Sequence, residues 1–160
     1  MLFYGVFFLA AVLIALPWLA SRIDVYLPQW HREIGWLRLP GAAVFAAFLF
    51  IYLRTSVLLS RQGRGAYVEF DPPAELVTDG PFRWCRNPIA GCVVGMIWGL
   101  AFALSSTGVL LLALIAVPLA HVQVVALEEP LLRKRFGSAY EQYMYQVPRW
   151  IPRRPRGMAS

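Results

Sequence analysis

The sequence predicts an all-α integral membrane protein, with four transmembrane helices and a C-terminal amphipathic helical segment that folds back at the cytoplasmic face. Three observations lead there. The 160 residues are 59% hydrophobic with a mean hydropathy of +0.56, too apolar for a soluble domain of this size. The apolar residues gather into four runs, 2–20, 41–60, 89–104 and 109–127. The arginines gather in the segments between and after those runs. The whole chain reads as a single domain.

The first run, Leu2 to Ala20, matches the roughly 20 residues that a bilayer crossing needs. It has no basic leading region and no small-x-small cleavage site, so a span is favoured over a signal peptide. Pro17 is tolerated in such a helix. Residues 21–39 form a polar connection in which Trp30 and Trp36 suit the headgroup level. Pro40 and Gly41 open the second run. Arg54 near its end either snorkels to the interface or faces inward to meet an anionic group.

Residues 61–88 are the main loop. Asp71-Pro72-Pro73 and Asp79-Gly80-Pro81 punctuate it with turns, and Ala74 to Thr78 is a short extended candidate. In the third run Gly91, Gly95 and Gly99 make one stripe, suited to close helix approach or to a ligand lying beside the backbone. Ser105 to Gly108 is a tight turn, so the third and fourth runs form a helical hairpin. Pro130 is expected to end or kink the fourth helix at Glu129. Gly137 then stops a short helix, and Ser138 with Glu141 reads as a capping box that starts another. Leu132, Phe136, Tyr140, Tyr143 and Val147 recur at helical spacing along this tail, residues 128–154.

Charge sets the orientation. Arg61, Arg64, Arg83 and Arg86 lie in the main loop. Arg133, Lys134, Arg135, Arg149, Arg153, Arg154 and Arg156 lie in the tail, against Arg22, Arg32 and Arg38 in the first connection. The positive-inside rule puts loop, tail and both termini in the cytoplasm. The net charge of +6 flanks apolar spans, so a membrane surface is the expected partner and nucleic acid is not. Cys85 and Cys92, the two cysteines, suit packing and make neither a disulfide framework nor a zinc site.

All motif-like segments thus meet on one face of the membrane. That face collects Arg86, Asn87, Glu128, Glu129, Tyr140, Tyr143, Tyr145 and Arg149. His121, seven residues before Glu128, is expected on the same helix face. Each has a plainer reading as well: interfacial pairing for the glutamates, an interhelical hydrogen bond for His121, an interface belt for the tyrosines. No metal-ligand spacing, nucleophile motif, Walker loop or dinucleotide fingerprint is present. What remains is a site rich in positioning groups and poor in nucleophiles. Methyl transfer from a sulfonium suits it, because the donor is already activated and the protein need only align the reactants and exclude water.

Leu76 to Phe82, Arg86-Asn87-Pro88, Glu128-Glu129-Pro130, Phe136 to Tyr140 and Val147 to Pro152 together resemble the isoprenylcysteine carboxyl methyltransferase family. That group of integral-membrane methyltransferases includes the phospholipid N-methyltransferases. The resemblance covers about residues 74–154, and the order of the motifs around the hairpin carries it. It implies an S-adenosylmethionine site in which Arg86, Asn87 and Pro88 lie near the adenine end. Glu128 and Glu129 would accept from the cofactor's polar groups, and Tyr140 and Tyr143 would cover it. Arg149 would face the cofactor carboxylate or an acidic acceptor. His121 is the candidate base where the acceptor must lose a proton.

The implied acceptor is a lipid or hydrophobic small molecule that enters from the bilayer. Relatives often carry an aromatic residue where this chain has Ala90. Arginine dominance points to a bacterial inner membrane, and so to a lipid amine, lipid carboxylate or small hydrophobic thiol over a prenylated protein. Two other classes stay open. Arg133 and Arg135 keep an NADPH-dependent reductase of the sterol-reductase type in view, and Ala90 a non-catalytic membrane scaffold.

Overall fold

A computed structural model describes residues 7–26, 35–63 and 74–154. Trp30, Arg32, Arg64, the Asp71-Pro72-Pro73 turn and Arg156 lie outside the described residues. Among those described, every regular element is helical. Three helices are long and apolar enough to cross a membrane: α1 (Phe7–Val25), α2 (Gly35–Gln62) and α4 (Thr107–Phe136). Between the last two lies α3 (Pro88–Leu104), apolar and 17 residues long, about 26 Å of helix and so near the thin limit of a bilayer core. A short helix, α5 (Ser138–Gln146), follows α4. Residues 74–78 hold no strand.

The helices overrun the expected runs, each for a local reason. In α2, helix begins ahead of Pro40, whose missing N–H costs nothing in a first turn. In α1, helix continues through Asp24 as a 3₁₀ turn. The helix does not end at Glu129: α4 continues through Pro130 with Glu129 itself helical (φ −60°, ψ −41°). A π turn at Val124–Glu128 immediately precedes it. Such a turn widens the helix by one residue and re-seats a hydrogen-bond ladder that a proline would break.

The capping box is overturned too. Gly137, at φ +54°, ends α4 and itself caps α5, and no side chain caps that helix. The Gly137 carbonyl accepts from the Tyr140 and Glu141 amides at 3.1 and 3.2 Å, so Ser138 is already inside the helix.

The chain divides into two compact units, Met1–Ile51 with Cys92–Ala120, and Tyr52–Gly91 with His121–Ser160. In the first, small residues let backbones touch. A Cβ on Gly99 would stand 2.6 Å from the Phe45 amide, and one on Gly95 2.6 Å from the Phe48 ring. A Cβ on Gly108 would collide with the Ala20 carbonyl. Ile97 and Ala101 of α3 pack with Val109 and Ala113 of α4 and Ala20 of α1, which makes the predicted hairpin. Asp24 caps α4, its Oδ1 accepting from the Gly108 amide at 2.7 Å. Apolar residues including Leu114, Ile115, Val117 and Leu119 stand exposed on α4, as a lipid-facing surface requires.

In the second unit, Leu59, Val77 and Phe82 form one small core with Leu58 and Ile89. Gly80 lies against the end of the Leu58 side chain, and its φ of +57° is a backbone conformation that favours glycine. A second core holds Tyr140, Tyr143 and Val147 with Leu132, Phe136, Leu76 and Met144. All five positions of the predicted tail stripe therefore face inward together.

Candidate functional site

The second unit is held together where the tail crosses the segment before α3. After α5 the backbone turns extended at Val147 and runs beside residues 84–87 in the opposite direction. The Arg86 amide donates to the Pro148 carbonyl at 2.9 Å and the Arg153 amide to the Trp84 carbonyl at 3.1 Å. Asn87 Nδ2 donates to the Arg149 carbonyl at 3.2 Å. The Cys85 thiol donates to the carbonyls of Arg149 (3.3 Å) and Trp150 (3.1 Å). Burial pushes that thiol's pKa up, so it stays a protonated donor.

Behind this seam the Glu129 carboxylate lies 3% exposed between two arginines. Arg149 binds it in a fork, Nε to Oε1 at 2.7 Å and Nη2 to Oε2 at 3.0 Å. Arg86 Nη1 reaches Oε1 at 3.1 Å. The bond to Glu129 pushes the Arg149 guanidinium further up from its ordinary value. The cluster holds two positive charges against one negative. It also leaves spare capacity: three bonds do not exhaust the lone pairs of a carboxylate, and Arg86 Nε is buried with no hydrogen-bond partner.

Tyr140 is 1% exposed. Burial, with Glu129 nearby, raises its pKa, and the Arg86 guanidinium beside it opposes that shift. Tyr143 donates its hydroxyl to the Phe82 carbonyl at 2.6 Å. Burial drives its pKa above the usual phenol range.

The structure thus brings together Arg86, Asn87, Glu129, Tyr140, Tyr143 and Arg149. Pro88 is buried at the start of α3, next to Asn87, whose carbonyl takes that helix's Gly91 amide at 3.1 Å. Glu128 is half-buried and accepts from Gln123 Nε2 at 3.3 Å. The π turn between His121 and Glu128 upsets the expected shared face, so Gln123 serves that carboxylate. His121 is exposed, and its Nδ1 accepts the Trp150 indole N–H at 3.1 Å. Its contact toward the cluster runs through that residue, with Nδ1 occupied.

Sequence reasoning gave Cys85 only a packing role and Trp150 only a place in the Val147–Pro152 motif, and it assigned no part to Asp24 in the other unit. The position of Cys85 directly before Arg86-Asn87 was the one available signal. Nothing in sequence marks a lone aspartate as the cap of a helix 84 residues away.

A family model described as "Phospholipid methyltransferase" matches residues 37–139. The chain is also 28% identical, over 99 residues, to the "Nickel-cobalt-cadmium resistance protein NccN" of Alcaligenes xylosoxydans xylosoxydans. That match takes in 62% of this chain and spans 46% of the relative, about half its length. No solved structure matches. Among the described residues no three His, Cys, Asp or Glu side chains group as a metal site would need.

Proposed function

The chain belongs to the phospholipid methyltransferase family, and from that premise we propose that it is an S-adenosylmethionine-dependent methyltransferase acting on a membrane-embedded, lipid-like acceptor, as isoprenylcysteine carboxyl methyltransferases do. The single observation carrying this reading is the clasp of Glu129 by Arg86 and Arg149 behind the folded-back tail. An amino-acid end group carries one ammonium and one carboxylate. Glu129 retains acceptor capacity for the first, and the buried Arg86 Nε retains a donor for the second. The residues present therefore fit the cofactor's polar end. Asn87 and Pro88 would flank its adenine, and Tyr140 and Tyr143 would cover it.

Bound there, the cofactor would supply a methyl group on a sulfonium centre. The chain's part is to fix that group's direction, exclude water and admit the acceptor from the lipid side. Glu128 would assist as a second acceptor. His121 is proposed as base only for acceptors that release a proton, in which case Trp150 must give up its hydrogen bond. Four crossings, with α3 as the short third span and both termini in the cytoplasm of a bacterial inner membrane, complete the proposal.

Calorimetry in detergent with S-adenosylhomocysteine and, separately, NADPH tests it. Micromolar binding of the first is expected, lost in Glu129→Gln. In Arg86→Lys, which keeps the charge but removes the Nε donor together with the guanidinium's bond to Glu129, binding should weaken at least tenfold while the protein stays folded at the titration temperature. Binding of NADPH alone would replace this reading with a reductase, and binding of neither with a scaffold.

A further inference from the structure

The seam that closes the tail also builds an outward surface. The Arg153 amide on the Trp84 carbonyl (3.1 Å) and the Cys85 thiol on the Trp150 carbonyl (3.1 Å) lock residues 84–85 beside residues 150–153. On the solvent side, Trp84 is 46% and Ile151 79% exposed. Arg153 and Arg154 are exposed next to them. Neither residues 80–87 nor residues 147–154 contain an aspartate or glutamate, while Arg83, Arg86, Arg149, Arg153 and Arg154 all lie there. The nearby Glu129 is turned inward onto Arg86 and Arg149.

We infer that Trp84, Ile151, Arg153 and Arg154 form a binding surface for the anionic phospholipid headgroups of the leaflet this end faces. Two independent features choose that occupant. With α3 as the third crossing proposed above, Trp84 lies four residues before that helix opens at Pro88, at most about 14 Å along the chain, which puts the surface at headgroup depth. An exposed tryptophan and isoleucine rimmed by guanidinium groups match that layer, apolar below and phosphate above. A soluble acidic partner would leave the apolar pair unexplained.

The purified full-length protein in a neutral detergent tests this. Phosphatidylglycerol, phosphatidylcholine or free glycerol phosphate is titrated in, and the unfolding temperature is followed, a readout independent of any methyl donor. Phosphatidylglycerol should raise the unfolding temperature at a low mole fraction, and phosphatidylcholine only at a much higher one. In the double variant Arg153→Gln/Arg154→Gln the half-saturating fraction should rise roughly 25-fold, from about fivefold per arginine. The double variant Arg153→Lys/Arg154→Lys should restore it. Trp84→Ala should weaken the response to both lipids. Equal responses to the two lipids, an unchanged response in the glutamine variant, or saturation by glycerol phosphate alone would each overturn the inference.

Discussion

Glu129 is the residue on which the second unit turns, because three charge-assisted hydrogen bonds converge on one buried carboxylate. Removing one partner of such a cluster strands the others away from water. Glu129→Ala should therefore cost about 3 kcal/mol, read by chemical denaturation in detergent. Tyr143 shows the same logic for a neutral group. Its Phe82 bond is buried, and Tyr143→Phe should cost about 1–2 kcal/mol. The raised pKa of Tyr143 also sets a pH dependence. The folded state keeps the phenol proton where the unfolded chain begins to lose it, near pH 10. The stability Tyr143 contributes is complete below that pH and falls above it. Tyr143→Phe should flatten that alkaline loss, measured as melting temperature from pH 8 to 11.

At the scale of elements, glycines separate packing from conformation. Gly99 has no room for a Cβ beside Phe45, whereas a Cβ on Gly91 would meet nothing within 4 Å. Gly99→Ala should destabilise by about 1–3 kcal/mol. Gly91→Ala should leave stability unchanged or raise it by up to about 1 kcal/mol. If a ligand uses the open side of α3 at Gly91, the same variant loses binding while staying folded, which calorimetry detects. Gly137 has space as well, but its φ of +54° with ψ of −128° is a glycine conformation. Gly137→Ala should lower stability by about 1–3 kcal/mol by tilting α5 and loosening Tyr140 and Tyr143. The tail stripe was legible because helical spacing survives a glycine break when the end of α4 and α5 turn the same face inward. The π turn and the glycine cap were not, since backbone geometry there answers to Pro130 and to the fit of α5.

For the whole molecule, the proposed topology rests on the apolar lengths and the arginine distribution. Tyr26 is 82% exposed at the end of α1, and Ser138 is exposed at the start of α5. With both termini cytoplasmic, a membrane-impermeant maleimide should label Tyr26→Cys on intact spheroplasts and Ser138→Cys only after permeabilisation. The native thiols are buried and contribute little. The reverse pattern would invert the orientation and place the proposed cofactor site on the other side.

The sequence by itself determined the helical membrane class, the runs that become α1 to α4, the break at Gly137 and the buried stripe of the tail. Those features depend on hydropathy and periodicity, which act over a few turns of chain. Only the tertiary structure decided that Arg86 and Arg149 close on the same carboxylate, that Cys85 and Asn87 hold the returning tail, and that Trp150 occupies His121. Each joins residues 20 to 65 positions apart. A hydrogen bond depends on distance and direction in space, which local pattern does not encode.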